Sequence, residues 1–119
     1  MTIAVPATEA VIRNHLRAFQ EGLGVDAILD DYADEARFIS EERTYAGKAE
    51  IRGFFERFMA ALPANAVERF TLRSLRVDGP LAYITWSAGE SLPLGTDTFV
   101  VREGKIVSQT FAAYRPDAA

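Results

Sequence analysis

The 119-residue chain has no cysteine, one histidine (His15), one tryptophan (Trp86) and two lysines. Without cysteine there is no disulfide framework, zinc–thiolate site or thiol nucleophile. A single imidazole excludes, within one chain, any site built from two or more histidines. No run approaches the ~18 consecutive apolar residues of a membrane span. Residues 1–10 carry no basic segment followed by an apolar core, so no secretory leader is expected. Basic residues are the minority, 13 Lys and Arg against 17 Asp and Glu, for a net charge of −4. That balance argues against a nucleic-acid partner, and no membrane partner is expected. The chain has no Gly-rich phosphate loop, nucleophile elbow or Walker motif. No cofactor and no metal are therefore expected.

What is present is an ordinary globular composition: 49% apolar and 25% charged residues, with 8 Gly and 5 Pro. One domain over residues 1–119 is expected, in the cytoplasm, with a core large enough to need no covalent staple. The 11 Arg against 2 Lys, with 19 Ala, point to a GC-rich bacterial source. The chemistry left to such a chain belongs to carboxylates, amides, hydroxyls and one imidazole.

Periodicity divides the chain in two. Glu9–Gln20 carries Val11, Ile12, Leu16 and Phe19 at helical spacing, with Pro6 and Thr8 as a start and Gly22 and Gly24 as a stop. Val25–Tyr32 predicts a second short helix with the stripe Val25, Ile28, Leu29, Tyr32. Asp30, Asp31, Asp34 and Glu35 read as its solvated face and end, since nothing orders them as a calcium loop. Ala36–Ser40 predicts a short strand and Glu41–Thr44 a polar turn. Lys48–Leu62 is the strongest helix, striped by Ile51, Phe54, Phe55, Phe58 and Leu62 and ended by Pro63. From Val67 the period shifts toward 2. Strands are predicted over Phe70–Val77, Leu81–Ala88, Thr96–Arg102 and Lys105–Tyr114. The first of these changes face between Leu72 and Leu75, which predicts a bulge. Turns fall at Asp78-Gly79-Pro80 and Glu103-Gly104, a loop at Gly89–Gly95, and a frayed tail at residues 116–119. Helices first and an antiparallel meander after predict an α+β fold with helices on one face of a curled sheet.

Two strands carry polar residues on apolar faces. Asp97 shares a face with Phe99 and Val101, and Gln109 with Val107, Phe111 and Ala113. A buried carboxylate must find donors or stay protonated; the other reading is an Asp97 solvated near its strand end. His15 lies on the stripe Val11, His15, Phe19. It is either a satisfied core residue or, if it faces Asp97, half of a proton-carrying pair. Tyr32 offers a phenol to the same cavity or a hydroxyl tipped into solvent. Trp86 alternates with Ile84 and Ala88, and Tyr83 with Thr85. One set faces the helices, and the other, if aromatic and exposed, makes a dimer surface. Arg52 and Glu56 are spaced for a surface ion pair. Glu41 and Glu42 read as a solvated turn, or as acids at a cavity mouth.

The segments Tyr32-Ala33-Asp34-Glu35-Ala36, Gly47–Phe55 (GKAEIRGFF) and Gly95–Phe99 through Gly104–Val107 resemble the nuclear transport factor 2-like superfamily. Within it they resemble the SnoaL-like and ketosteroid-isomerase-like branch, over residues 8–114. The resemblance implies a cone-shaped α+β fold: three N-terminal helices packed in a curved, mostly antiparallel sheet. It also implies an apolar pocket at the open end and a homodimer through the outer sheet face. Asp97 falls where ketosteroid isomerases carry an acidic oxyanion-hole residue, kept neutral there by its apolar site. His15 falls near their oxyanion-hole tyrosine, and Ser40 at their aspartate general base. An unactivated serine does not abstract a carbon-bound proton near pH 7, so the isomerase mechanism is not carried over whole.

The resulting expectation is a pocket for a small apolar, carbonyl-bearing ligand. Asp97 is its acid/base or oxyanion donor and His15 the partner of Asp97. Tyr32, Phe38, Ser40, Phe54, Phe58, Trp86, Phe99, Gln109 and Phe111 contact the ligand. The reaction would be an isomerisation, cyclisation or lyase-type step. The alternative is a non-catalytic ligand-binding or dimerisation module, its cavity filled by Phe38, Phe54, Phe58, Phe99 and Phe111.

Overall fold

A computed structural model describes residues 7–63 and 65–116. Pro6, and the tail beyond residue 116, lie outside the described residues. Three helices, α1 (Thr8–Gln20), α2 (Val25–Leu29) and α3 (Lys48–Ala61), accompany six strands. The strands are β1 (Tyr32–Ile39), β2 (Thr44–Ala46), β3 (Phe70–Asp78), β4 (Leu81–Ala88), β5 (Leu94–Arg102) and β6 (Lys105–Tyr114). They form one curved sheet in the order β2-β1-β6-β5-β4-β3. Every neighbouring pair is antiparallel except β1 with β6, which is parallel. This is the expected α+β architecture, a sheet wrapped round three helices.

The inner face carries the core. Phe38, Ile84, Phe99 and Ile106 from the sheet meet Ile12, Ile28 and Ile51 from the helices, all essentially inaccessible to water. Helix α1 lies against β3, β4 and β5, and α3 against β1 and β2. The Thr8 hydroxyl donates to the Gly79 carbonyl at 2.7 Å, tying the start of α1 to the β3–β4 turn. Leu81 and Tyr83 stay exposed on the far side of the sheet.

The expected bulge in β3 is present as a register shift between Leu72 and Ser74. Glu103 and Gly104 both have positive φ, at 52° and 77°, as a two-residue hairpin turn between twisted strands requires. Five expectations are corrected. Helix α2 stops at Leu29, and Tyr32 opens β1 instead of closing the helix. The parallel pairing to β6 supplies hydrogen bonds that let this stretch extend early. The polar turn after Ser40 gives way at Thr44 to the short edge strand β2, and β5 begins at Leu94. A bulge between Val100 and Val101 puts Ile106, not Val107, opposite Val101 on the inner face. Arg52 pairs with Asp26 at 2.7 Å, not with Glu56.

Candidate active site

Strand alternation sends Gly95, Asp97, Phe99 and Val101 of β5 inward. Register then sets the neighbours of Asp97: Ile84 lies across on β4 and Phe111 across on β6. Two residues further along β4, Trp86 sits opposite Gly95. A Cβ on Gly95 would fall 2.1 Å from the indole ring. Only glycine leaves room for the indole there, and the ring turns its Nε1–H to Asp97 Oδ1 at 2.7 Å. From β6, opposite Phe99, Gln109 donates its Nε2–H to Asp97 Oδ2 at 2.8 Å. An ionised carboxylate only accepts, so the amide oxygen of Gln109 faces the other way. There it accepts a hydrogen bond from the Tyr32 hydroxyl. Four strands thus supply one chain of polar groups: Tyr32 to Gln109 to Asp97, with Trp86 closing the end.

Burial dominates the electrostatics of this chain. It lifts the Asp97 carboxyl from 3.8 to about 6, against the bonds from Trp86 and Gln109 and the nearby His15, which all pull it down. Both protonation states of Asp97 are therefore accessible near neutral pH. Tyr32 is pushed well above the ordinary tyrosine value, first by burial and then by the charges of Asp97 and Asp31. It stays a neutral phenol and a donor.

His15 comes from α1. Its ring is held edge-on by Phe19, Tyr32 and Phe99 at centroid distances of 5.5 to 5.6 Å, and by Phe55 at 6.3 Å. Its Nδ1 turns to Asp31 Oδ2 at 3.8 Å, beyond hydrogen-bond reach, and neither atom has a partner. Each sealed, unpaired polar atom costs about 1–3 kcal/mol. The other oxygen of Asp31 accepts from Asn14 Nδ2 at 2.9 Å, and Asn14 accepts from Arg17 at 2.6 Å. Among the described residues no group of His, Cys, Asp and Glu could hold a metal ion.

His15, Asp97, Gln109 and Trp86 line one small cavity together with Phe38, Phe54, Phe58, Phe99 and Phe111. Its free volume is about 50 Å³. Two of the expected contact residues lie elsewhere. Tyr32 is buried but is not part of the cavity wall, because Gln109 takes its hydroxyl. Ser40 falls just beyond β1, where its Oγ accepts from the Glu42 and Arg43 amides in a turn. It lines an open groove of about 760 Å³ on the far side of Phe54, Phe58 and Phe111, with Glu41, Glu42 and Arg115. Those three phenylalanines border both spaces. Sequence reasoning missed Asp31, placed there on a solvated face but only 8% exposed. Its spacing of three from buried Ile28 was the available signal.

The curved sheet around three helices is the nuclear transport factor 2-like fold, and solved structures share it. An NTF-2 like protein of unknown function from Burkholderia xenovorans aligns at TM-score 0.74 and 22% identity, over 94% of this chain and 86% of that one. A protein called a "putative polyketide cyclase" from Sinorhizobium meliloti aligns at 0.70 and 18%, over 86% and 93%. TerC, co-crystallised with polyporic acid, aligns at 0.70 and 15%, over 90% and 91%. No protein with a curated description matches the chain in sequence. The SnoaL-like domain model matches residues 12–109, and the chain belongs to that family. Among the described residues no helix is long and apolar enough to cross a membrane.

Proposed function

We propose that the chain is an acid/base catalyst acting on a small apolar carbonyl compound, in an isomerisation or cyclisation. The observation that carries this reading is Asp97: a carboxyl buried among aromatics, held by two donors, and titrating at about 6. As carboxylate it takes a proton from carbon beside the carbonyl; as acid it returns one. His15, on the same cavity wall, is the partner of Asp97, and Trp86 and Gln109 orient Asp97. Tyr32 acts through Gln109. The neighbour called a "putative polyketide cyclase" and the one crystallised with polyporic acid agree with an apolar, oxygenated ligand. The protein works as a cytoplasmic homodimer in this reading, through the face that exposes Leu81 and Tyr83.

The test is deuterium exchange beside the carbonyl of small cyclic ketones in heavy water. Native protein is expected to exchange about 100-fold faster than Asp97→Asn. Equal rates would sink the catalytic reading. A second reading, a binding or dimerisation module without chemistry, is favoured by the cavity size. About 50 Å³ is room for a water or two, well below the ~300 Å³ of a ligand pocket. A ligand must therefore displace Phe54, Phe58 or Phe111, the wall between cavity and groove. Ketone binding without exchange would select this second reading.

A further inference from the structure

We propose that Asp31 is a positioning residue: its free carboxylate oxygen holds the His15 imidazole with the proton on Nδ1, leaving Nε2 as a bare acceptor. This rests on the proposed function only for the use made of Nε2. The tautomer itself belongs to the protein alone.

Consecutive residues of α1 reach the same carboxylate. Asn14 donates its amide to Oδ1, and His15 turns Nδ1 to Oδ2, 3.8 Å away. Arg17, one turn along, holds the Asn14 carbonyl, so the amide cannot present its oxygen to Asp31. Oδ1 is thereby engaged and Oδ2 is left to the imidazole. Both Oδ2 and Nδ1 are sealed from water with no other partner. An unprotonated Nδ1 would set its lone pair against a carboxylate lone pair in a space that no water reaches. A proton on Nδ1 turns that repulsion into attraction, and a small side-chain movement then closes the bond. Ring reversal would present carbon to Asp31 and forfeit that attraction, leaving Oδ2 sealed with no partner at all. With Nδ1 so engaged, the neutral ring carries no proton on Nε2. It meets a ligand as a hydrogen-bond acceptor or a base, never as a neutral donor.

His15 is the only imidazole in the chain, so nitrogen-15-labelled histidine gives one ring with two nitrogen signals. At about pH 8.5, where imidazoles are neutral, the native protein is expected to show Nδ1 protonated and Nε2 bare. Asp31→Asn should swap the two signals. Asn14 still donates to the new side chain's oxygen, so its NH2 faces Nδ1 and forces the proton to Nε2. In the double variant Asn14→Ala, Asp31→Asn the amide is free to turn, and a mixture is expected. A structural role alone would not move the tautomer in this pattern. Nε2–H in the native protein overturns the proposal, as does an Asp31→Asn spectrum identical to native. If Asp31→Asn does not fold, the native spectrum still decides. A native Nδ1–H tautomer beside equal exchange rates for native and Asp97→Asn would leave the positioning role standing and remove the catalytic one.

Discussion

Asp97 has both carboxylate oxygens bonded, to the Trp86 indole and the Gln109 amide. Asp31 has one oxygen on Asn14 and one facing an imidazole with no hydrogen bond. The difference follows from where the partners stand. Those of Asp97 come from adjacent strands of one sheet, whose ladder sets side-chain positions closely. Asp31 sits in the link between α2 and β1, and its partners come from α1, joined to it only by packing. A sheet delivers a complete polar network, whereas a helix laid over the sheet leaves one contact open. The closed network holds a carboxylate on both oxygens, and the open one leaves a single oxygen to fix the proton of the imidazole beside it.

The comparison breaks most severely at Gly95. A methyl there, in Gly95→Ala, displaces the indole and removes its bond to the carboxylate. Overpacking and the lost charged bond together predict a loss of about 4 kcal/mol in urea unfolding. An unchanged midpoint would mean the indole does not depend on that glycine.

Next in size is pH. Asp97 titrates at about 6 when folded and at 3.8 in an ordinary setting, so folding takes up a proton between those values. Its contribution is therefore full below pH 3.8 and is lost as pH rises through 6, by about 3 kcal/mol in total. Asp97→Asn should flatten that fall. Its amide can be accommodated if Gln109 turns over, so that its carbonyl accepts from Asn and its NH2 donates to the Tyr32 oxygen. A variant with the native pH slope would assign the slope to another group.

The smallest effect is expected at Asp31. Its contact with His15 is long, at 3.8 Å, and Asp31→Asn keeps the bond from Asn14 and still faces Nδ1 with a polar group. Stability within about 1 kcal/mol of native is predicted by the same unfolding measurement. A loss as large as that of Gly95→Ala would show that the long contact to His15 carries as much as the closed network of Asp97 and erase the contrast.

Much of the fold was legible because periodicity survives in the chain. Leu81–Ala88 and Lys105–Tyr114 coincide with β4 and β6, and alternation put Asp97 and Gln109 on inner faces. The faces of β4 resolve the same way: Ile84, Trp86 and Ala88 go in and Tyr83 goes out. Illegible were the features that need a distant strand. Tyr32 extends the helical stripe of Val25, Ile28 and Leu29, and only the parallel ladder to β6 draws it into a strand. The edge strand β2 is three residues long, too short for any period to show. Asp31 looked solvated among four acidic residues because its cover comes from α1, 17 residues earlier.

By itself the sequence determined which groups were available: no thiol, one imidazole, one indole, and a carboxylate and an amide on alternating apolar strands. These follow from composition and a two-residue period, which are local. Tertiary structure alone decided which of them meet. The Trp86 bond to Asp97 depends on the β4–β5 register, and the approach of His15 to Asp31 on how α1 lies over the sheet. Register and helix placement are set by long-range packing, and no local pattern of residues encodes the distance between two side chains on different elements.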